Sequence, residues 1–442
     1  MKIVSLFASN VYGYIDLNIS FNDDITFLIG GNGSGKTTVL RLLQAVITPN
    51  IKDIITIPFE KVRLILEEDS QKIEIFASKN ERSVDLSISG TKKILSIPNI
   101  NNSDKYILNS KDDEDEIYQK IERDNFSNEV YLRLKKLDKP IFLGLDRKTD
   151  FHESNDYMSN NEIYYRRRTS SPKRRVQGTL GEALINTEML IQETYRRIRD
   201  FEEHQGFYLR DQILKSSFKF TEFNLESFDN SNMNWRERQN IIKRKEEIKE
   251  AIHKIGKVDD SLIKEMDSFF NKITMLFEEL KESDGKGFNI SWLVNKAQID
   301  RVADILDVID SSNSRVSKLY SPIISFQNIV NDFLSESNKR IEINTVGRVE
   351  VVRPDGTRCL IDSLSSGERQ LIIMTANVLF NKKMGRSSII IIDEPELSLH
   401  MRWQEMFSEK ILSISPRTQF IMATHSPEIV GNLEEKGIRV GR

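Results

Sequence analysis

Gly30-Gly31-Asn32-Gly33-Ser34-Gly35-Lys36-Thr37 is the stretch on which the fold turns. It fits G-x-x-x-x-G-K-[ST], a loop whose backbone N–H groups cradle phosphate. Its flanks agree. Ile25-Thr26-Phe27-Leu28-Ile29 is a β-type run, and Thr37-Thr38-Val39-Leu40-Arg41-Leu42-Leu43 is a helical one. The glycines let several N–H groups point at one anion, and the helix that follows adds its positive dipole end. Lys36 is expected at the β- and γ-phosphates of ATP, and the Thr37 hydroxyl at Mg²⁺. Asn32, Gly33, Ser34, Gly35 and Thr38 complete the expected nucleotide-binding set.

A second half of such a site lies far downstream. Ser388-Ile389-Ile390-Ile391-Ile392-Asp393-Glu394-Pro395 has the composition of a strand buried on both faces and ends in two acids. Ligands collect at the carboxyl ends of such strands. Asp393 is therefore expected to hold Mg²⁺ through water, opposite Thr37, and Glu394 to polarise the attacking water. Gln419-Phe420-Ile421-Met422-Ala423-Thr424-His425-Ser426-Pro427 reads as another core strand. His425 at its end is a candidate γ-phosphate sensor, Ser426 an N-cap and Pro427 a first helical residue. About one helix is expected between there and Arg442. Upstream, Leu364-Ser365-Ser366-Gly367-Glu368-Arg369-Gln370 opens an apolar helix running from Leu371 to Phe380.

The bulk numbers frame these motifs. A chain of 442 residues implies two or three domains. Hydrophobic content of 38% beside 30% charged residues describes a protein with much exposed helix. No apolar run approaches a membrane span, and the N-terminus lacks a signal-peptide pattern. The single cysteine, Cys359, excludes an internal disulfide and a cysteine-rich metal site, and a cytoplasmic location is expected. A net charge of −3 excludes a protein that coats DNA with its whole surface.

Between the motifs, residues 1–29 alternate as strands, and residues 60–98 alternate again, reading as a small antiparallel sheet beside the nucleotide core. The acidic run Asp112–Glu116 reads as a solvated helix start. In Tyr164-Tyr165-Arg166-Arg167-Arg168 and Lys173-Arg174-Arg175, six positive charges fall within ten residues beside two tyrosines. That composition suits phosphate contact with base stacking, or simply a solvated loop. Residues 180–216, 236–282 and 297–335 read as helical. The stripe from Ile241 to Leu280 is equally a modest heptad seam or one face of a helix bundle. Residues 341–362 return to strands around a Pro354-Asp355-Gly356 turn.

The order of these motifs resembles the ATP-binding-cassette class of P-loop ATPases, in the branch of chromosome-structuring and DNA-repair proteins. Gly30–Thr37 is similar to Walker A, Leu364–Glu368 to the signature motif and Ile389–Glu394 to Walker B. His425 stands where the switch histidine belongs. The resemblance implies an α/β ABC-type P-loop head with an antiparallel β subdomain and a helical, short coiled-coil-like insertion. Residues 1–150 and 339–442 would form the head, and 151–338 the insertion with its basic segment. It also implies head-to-head dimers in which Ser365 and Gly367 complete a second subunit's ATP site. By length and organisation the chain is similar to the ATPase subunit of Septu-type anti-phage systems, including retron-linked ones, whose partner is an HNH nuclease subunit. The alternative is a DNA-repair ATPase clamping DNA directly. In either case Arg166, Arg167, Arg168, Lys173, Arg174 and Arg175 are candidate nucleic-acid contacts.

Overall fold

The computed structural model describes residues 1–48, 51–99, 111–145, 178–217, 243–255, 260–282, 290–381 and 389–441. Met1–Gln192 with Ser325–Arg442 forms one unit, and Glu193–Ile324 a second. The first is a parallel α/β core beside an antiparallel sheet, the arrangement that the resemblance implies.

Its N-terminal strands are β1 (Lys2–Val11), β2 (Ile15–Ser20) and β3 (Ile25–Ile29). They are followed by β4 (Lys61–Glu68), β5 (Gln71–Lys79), β6 (Ser83–Ile88) and β7 (Leu95–Pro98). All but β3 form one antiparallel sheet in the order β2-β1-β4-β5-β6-β7. Alternation builds it. In β2, Ile15, Leu17 and Ile19 are buried while Asp16, Asn18 and Ser20 are exposed, so one face packs and the other meets solvent. The antiparallel sheet expected of residues 60–98 is present and is extended by β1 and β2. Leu64 pairs with Leu6 of β1, a partnership that alternation within one strand does not encode.

The second sheet is parallel and carries the site. It joins β3 to β8 (Ile141–Leu143), β12 (Ile389–Asp393), β13 (Gln419–Thr424) and β14 (Gly437–Arg439), in the order β14-β3-β13-β12-β8. β12 and β13 are buried at every position, which explains their unbroken apolar sequences. One face packs Leu40 and Leu43 of the Lys36–Ile47 helix with Ile391 and Ile421. The other packs Leu371 of the Ser366–Phe380 helix and Phe407 of the Met401–Ile414 helix with Phe27, Ile392 and Phe420. After His425 comes a four-residue helix, Pro427–Val430, and then β14 parallel to β3. That strand is absent from the sequence reading because three residues are too few for a period to show. A third sheet, β11-β10-β9, is made of β9 (Arg340–Ile343), β10 (Val349–Val352) and β11 (Arg358–Leu360). The Asp355 carboxylate accepts the Thr357 N–H in its expected turn.

Long helices dominate the middle of the chain. Gly178–Ser217 and Ile290–Leu334 are each continuous, and the latter, which takes in the stretch expected to be helical from residue 297, runs on through Pro322. Proline removes one helical hydrogen bond. Burial of Phe326, Ile329, Val330 and Phe333 just beyond it anchors the helix regardless. Within the second unit, Leu209, Ile248, Ala251, Phe270, Ile273, Leu306 and Ile309 from four helices share one core, so the described residues pack as a bundle. Lys245, which falls on the Ile241–Leu280 stripe, and Lys249 both pair with Asp267, at 2.5 and 2.7 Å, so the charge is held by a neighbouring helix.

Candidate nucleotide site

Parallel pairing assembles the site from distant sequence. Asp393 lies level with Ala423 and Ala423 with Leu28, so the ends of β12, β13 and β3 open onto one edge. The phosphate loop starts there. Gly35, in the left-handed region at φ 98°, turns the chain from loop into helix. A side chain at that position would be strained, and its Cβ would meet the Ile15 Cδ1 at 3.3 Å.

Lys36 is 6% exposed. Its Nζ donates to the Gly30 and Gly31 carbonyls at 2.8 and 3.0 Å, folding the side chain back over the loop. Burial pushes its pKa below the usual lysine value, and the Glu394, Asp393 and Glu396 carboxylates pull it back up. Three carboxylates around one ammonium leave an excess of two negative charges, the complement of a divalent cation. The Thr37 hydroxyl donates to the Asp393 carboxylate, at 3.1 Å to Oδ2 and 3.3 Å to Oδ1. Asp393 itself is 3% exposed. A hydroxyl and a carboxylate side by side are hard oxygen donors. Among the described residues no group of three or more His, Cys, Asp or Glu is placed to hold a metal. A cation here would take two protein oxygens and complete its shell with water and phosphate, as Mg²⁺ does. The residues therefore fit both Mg²⁺ and a nucleoside triphosphate.

Glu394 stands one residue past the strand, half-buried, with a left-handed φ of 46°. Such a conformation costs a non-glycine residue about 1–2 kcal/mol. It persists because the Glu394 N–H donates to the Ala423 carbonyl at 2.8 Å. Strain of this kind concentrates at functional positions. His425 is exposed at the end of β13. Its backbone N–H donates to Glu396 Oε1 at 2.6 Å, and the Thr424 hydroxyl donates to Glu396 Oε2 at 2.8 Å. Glu396 thereby ties the Walker-B-like turn to the histidine strand. The sequence reading missed it; the one available signal was a third acid in Asp393-Glu394-Pro395-Glu396.

Ser365 caps its helix in a reciprocal box. Its N–H donates to Glu368 Oε2 at 2.8 Å, and the Glu368 N–H donates back to its hydroxyl at 3.4 Å. Glu368 is 4% exposed and forms an ion pair with Lys339 at 2.9 Å. Burial pushes the Glu368 pKa up, but Lys339 and the Ser365 N–H outweigh it, so the group titrates below the usual carboxylate range. The box is accordingly intact above the usual carboxylate range and lost as pH falls through the lowered value. Gly367 is a packing necessity: a Cβ there would sit 2.2 Å from the Ser398 carbonyl oxygen. Gly367→Ala is expected to push the Ser398 turn away and cost about 1–3 kcal/mol. Thermal unfolding checks this, and an unchanged Tm would contradict the close approach. No hydrogen bond among the described residues joins Ser365 or Gly367 to the phosphate loop of the same chain. The candidate contacts Arg166, Arg167, Arg168, Lys173, Arg174 and Arg175 lie outside the described residues, as does Ser388. No described helix is long and apolar enough to cross a membrane.

Comparison with known proteins gives a family match over nearly the whole chain. A family model described as "AAA ATPase domain" matches residues 1–430. "Retron Vc95 probable ATPase" of Vibrio cholerae serotype O1 biovar El Tor is 24% identical over 198 residues, covering 39% of this chain and 37% of that protein. "Retron Ec83 probable ATPase" of Escherichia coli is 29% identical over 84 residues, covering 17% and 16%. The chain thus matches well under half the length of these relatives. Among solved structures, an Smc head domain with an extended coiled coil from Pyrococcus furiosus, bound to the C-terminal domain of ScpA, aligns at 13% identity and a TM-score of 0.41. That alignment covers 99% of this chain and 94% of that one. The SMC head domain from Thermotoga maritima aligns at 12% identity and a TM-score of 0.37, covering 97% and 91%.

Proposed function

Because the chain belongs to the AAA ATPase domain family, we propose that it binds and hydrolyses ATP as the switch subunit of an anti-phage defence complex. In this reading two copies close head to head on ATP and gate a partner HNH nuclease subunit. The observation that carries the ATPase part is the Thr37–Asp393 contact beside the buried Lys36 ammonium. It joins residues 356 positions apart, one in the first turn of the helix that follows β3 and the other at the end of β12, with β13 between those two strands. The defence part is supported by the motif order and by the retron ATPase names of two relatives.

Each residue then has a task. Lys36 leaves the Gly30 and Gly31 carbonyls to meet the β- and γ-phosphates, while the loop N–H groups from Asn32 to Thr38 cradle them. Thr37 and Asp393 would hold Mg²⁺, which when bound offsets the charge that builds on the phosphates. Glu394 accepts the proton of the attacking water, its carboxylate aimed by the strained turn. His425 contacts the γ-phosphate from the strand that Glu396 fixes. Ser365 and the N–H groups at the Gly367 helix tip complete the site of the other copy. Hydrolysis releases the pair, so nucleotide state becomes a difference between assembled and open heads.

Co-expression with neighbouring genes, followed by affinity capture, tests the assembly. Recovery of an HNH nuclease with this chain is expected. Free chain alone sinks the defence reading. The basic stretch 166–175 favours the second reading, direct DNA clamping. Its mark would be DNA-stimulated turnover without a partner that disappears when Arg166, Arg167 and Arg168 become alanine.

A further inference from the structure

Beside the third sheet, where the Ile290–Leu334 helix gives way to β9, lies an open groove of about 490 Å³. Asn331, Ser335, Lys339, Arg340, Arg353 and Gly356 are among its lining residues, and none of the lining side chains is acidic. The acids nearby are engaged elsewhere. Glu336 pairs with Arg402 at 2.6 Å, Asp332 with Lys410, and Glu342 with Arg358 at 2.7 Å as well as with Arg340. The Asp355 carboxylate is taken up by Thr357. Arg353 is exposed and makes no ion pair among the described residues. Three cationic residues therefore line the groove: Arg340 pairs with Glu342, Lys339 with Glu368, and Arg353 is within electrostatic reach of Asp355 without an ion pair among the described residues. A groove lined by three cationic residues and no acid is complementary to a phosphate group.

One of the three cations is shared. Lys339 is a groove residue, and its Nζ also holds Glu368 Oε1 at 2.9 Å, while Glu368 Oε2 holds the Ser365 N–H at 2.8 Å. We propose that the groove binds a phosphate-bearing ligand on Lys339, Arg340 and Arg353, and that Lys339 reports its occupancy through Glu368 to Ser365. A bound phosphate draws the ammonium off Glu368. The buried carboxylate then loses its counter-charge, and the box that sets the Ser365 hydroxyl loosens. Occupancy thus weakens closure of two heads on ATP. The coupling half rests on the reading of Ser365 as the group lent to a second copy.

The test uses the full chain with Lys36→Ala, which silences the phosphate loop. It is titrated with inorganic tripolyphosphate in one arm and an unphosphorylated oligothymidylate in the other. Saturable binding is expected in one arm, weakened about ten- to a hundredfold by Arg353→Glu. Tripolyphosphate as the winner identifies a free polyphosphate ligand; the oligonucleotide identifies a nucleic-acid backbone. No saturable binding in either arm, or binding indifferent to Arg353→Glu, overturns the site.

In the otherwise unaltered chain at saturating ATP, the winning probe is expected to lower ATP-driven dimerisation several-fold. Arg353→Glu should abolish that response. Lys339→Met should dimerise poorly with or without probe, and Lys339→Arg should restore dimerisation. If Ser365→Ala abolishes dimerisation while the bound probe changes nothing, the coupling is wrong. If Ser365→Ala dimerises normally, the shared-site reading fails instead.

Discussion

ATP turnover in a Lys36→Ala chain is expected to fall by about two to three orders of magnitude, with ATP binding lost alongside it. The side chain does two jobs in the structure. It supplies a positive charge facing the Asp393, Glu394 and Glu396 carboxylates, and it ties down the Gly30 and Gly31 carbonyls. Truncation leaves those carbonyls without the lysine bond and takes that positive charge away from the carboxylates, so an incoming triphosphate meets more repulsion. Loss of a charged hydrogen-bond partner at a buried site costs about 1.5–3 kcal/mol per contact. Binding of a fluorescent ATP analogue and release of phosphate measure the two effects separately. Wild-type binding by Lys36→Ala would contradict the assignment of the loop.

Glu394→Gln separates chemistry from binding. Glutamine has nearly the same shape and keeps the Glu394–Ala423 backbone contact, yet it accepts no proton from water. Turnover is expected to drop by about 10²- to 10⁴-fold while ATP affinity is retained. ATP-bound heads should then accumulate as dimers, visible by light scattering after size exclusion. A monomer at saturating ATP would refute shared sites. Glu394→Gly is the informative companion. It also lacks the carboxylate but relieves the left-handed backbone at φ 46°, so it should be inactive and about 1 kcal/mol more stable.

Much of this architecture is legible before any coordinates, for identifiable reasons. The phosphate loop shows because its glycines, lysine and threonine keep a fixed local spacing, and the β12 and β13 runs show because burial on both faces demands unbroken apolar sequence. The Ser365 cap shows because a serine and a glutamate three residues apart are a local pattern. Non-local pairings are silent. Nothing in Lys339 announces that it holds Glu368 29 positions away, and Glu396 hides among acids until β13 is laid beside it. β14 is too brief to register. The helical stretch from residue 297 to 335 shows in its apolar spacing although Pro322 argues against it locally, and tertiary burial beyond the proline keeps it one helix. The demand of Gly367 for empty space becomes visible only once the Ser398 backbone is placed.

The strand order of the parallel sheet also bears on how the molecule is made. β3 has β13 on one side and β14 on the other, both encoded about 390 residues or more after it. At about 5–20 residues per second, a ribosome takes roughly 20 to 80 s to deliver them. The antiparallel sheet draws its strands from residues 2–98 and is free to form early. Throughout that interval β3, apolar and hungry for backbone partners, has none of its own, and the loop after it is unshaped. Birth of this ATPase is therefore a waiting problem, in which a chaperone's grip on the nascent N-terminal third should govern yield more than any property of the finished head.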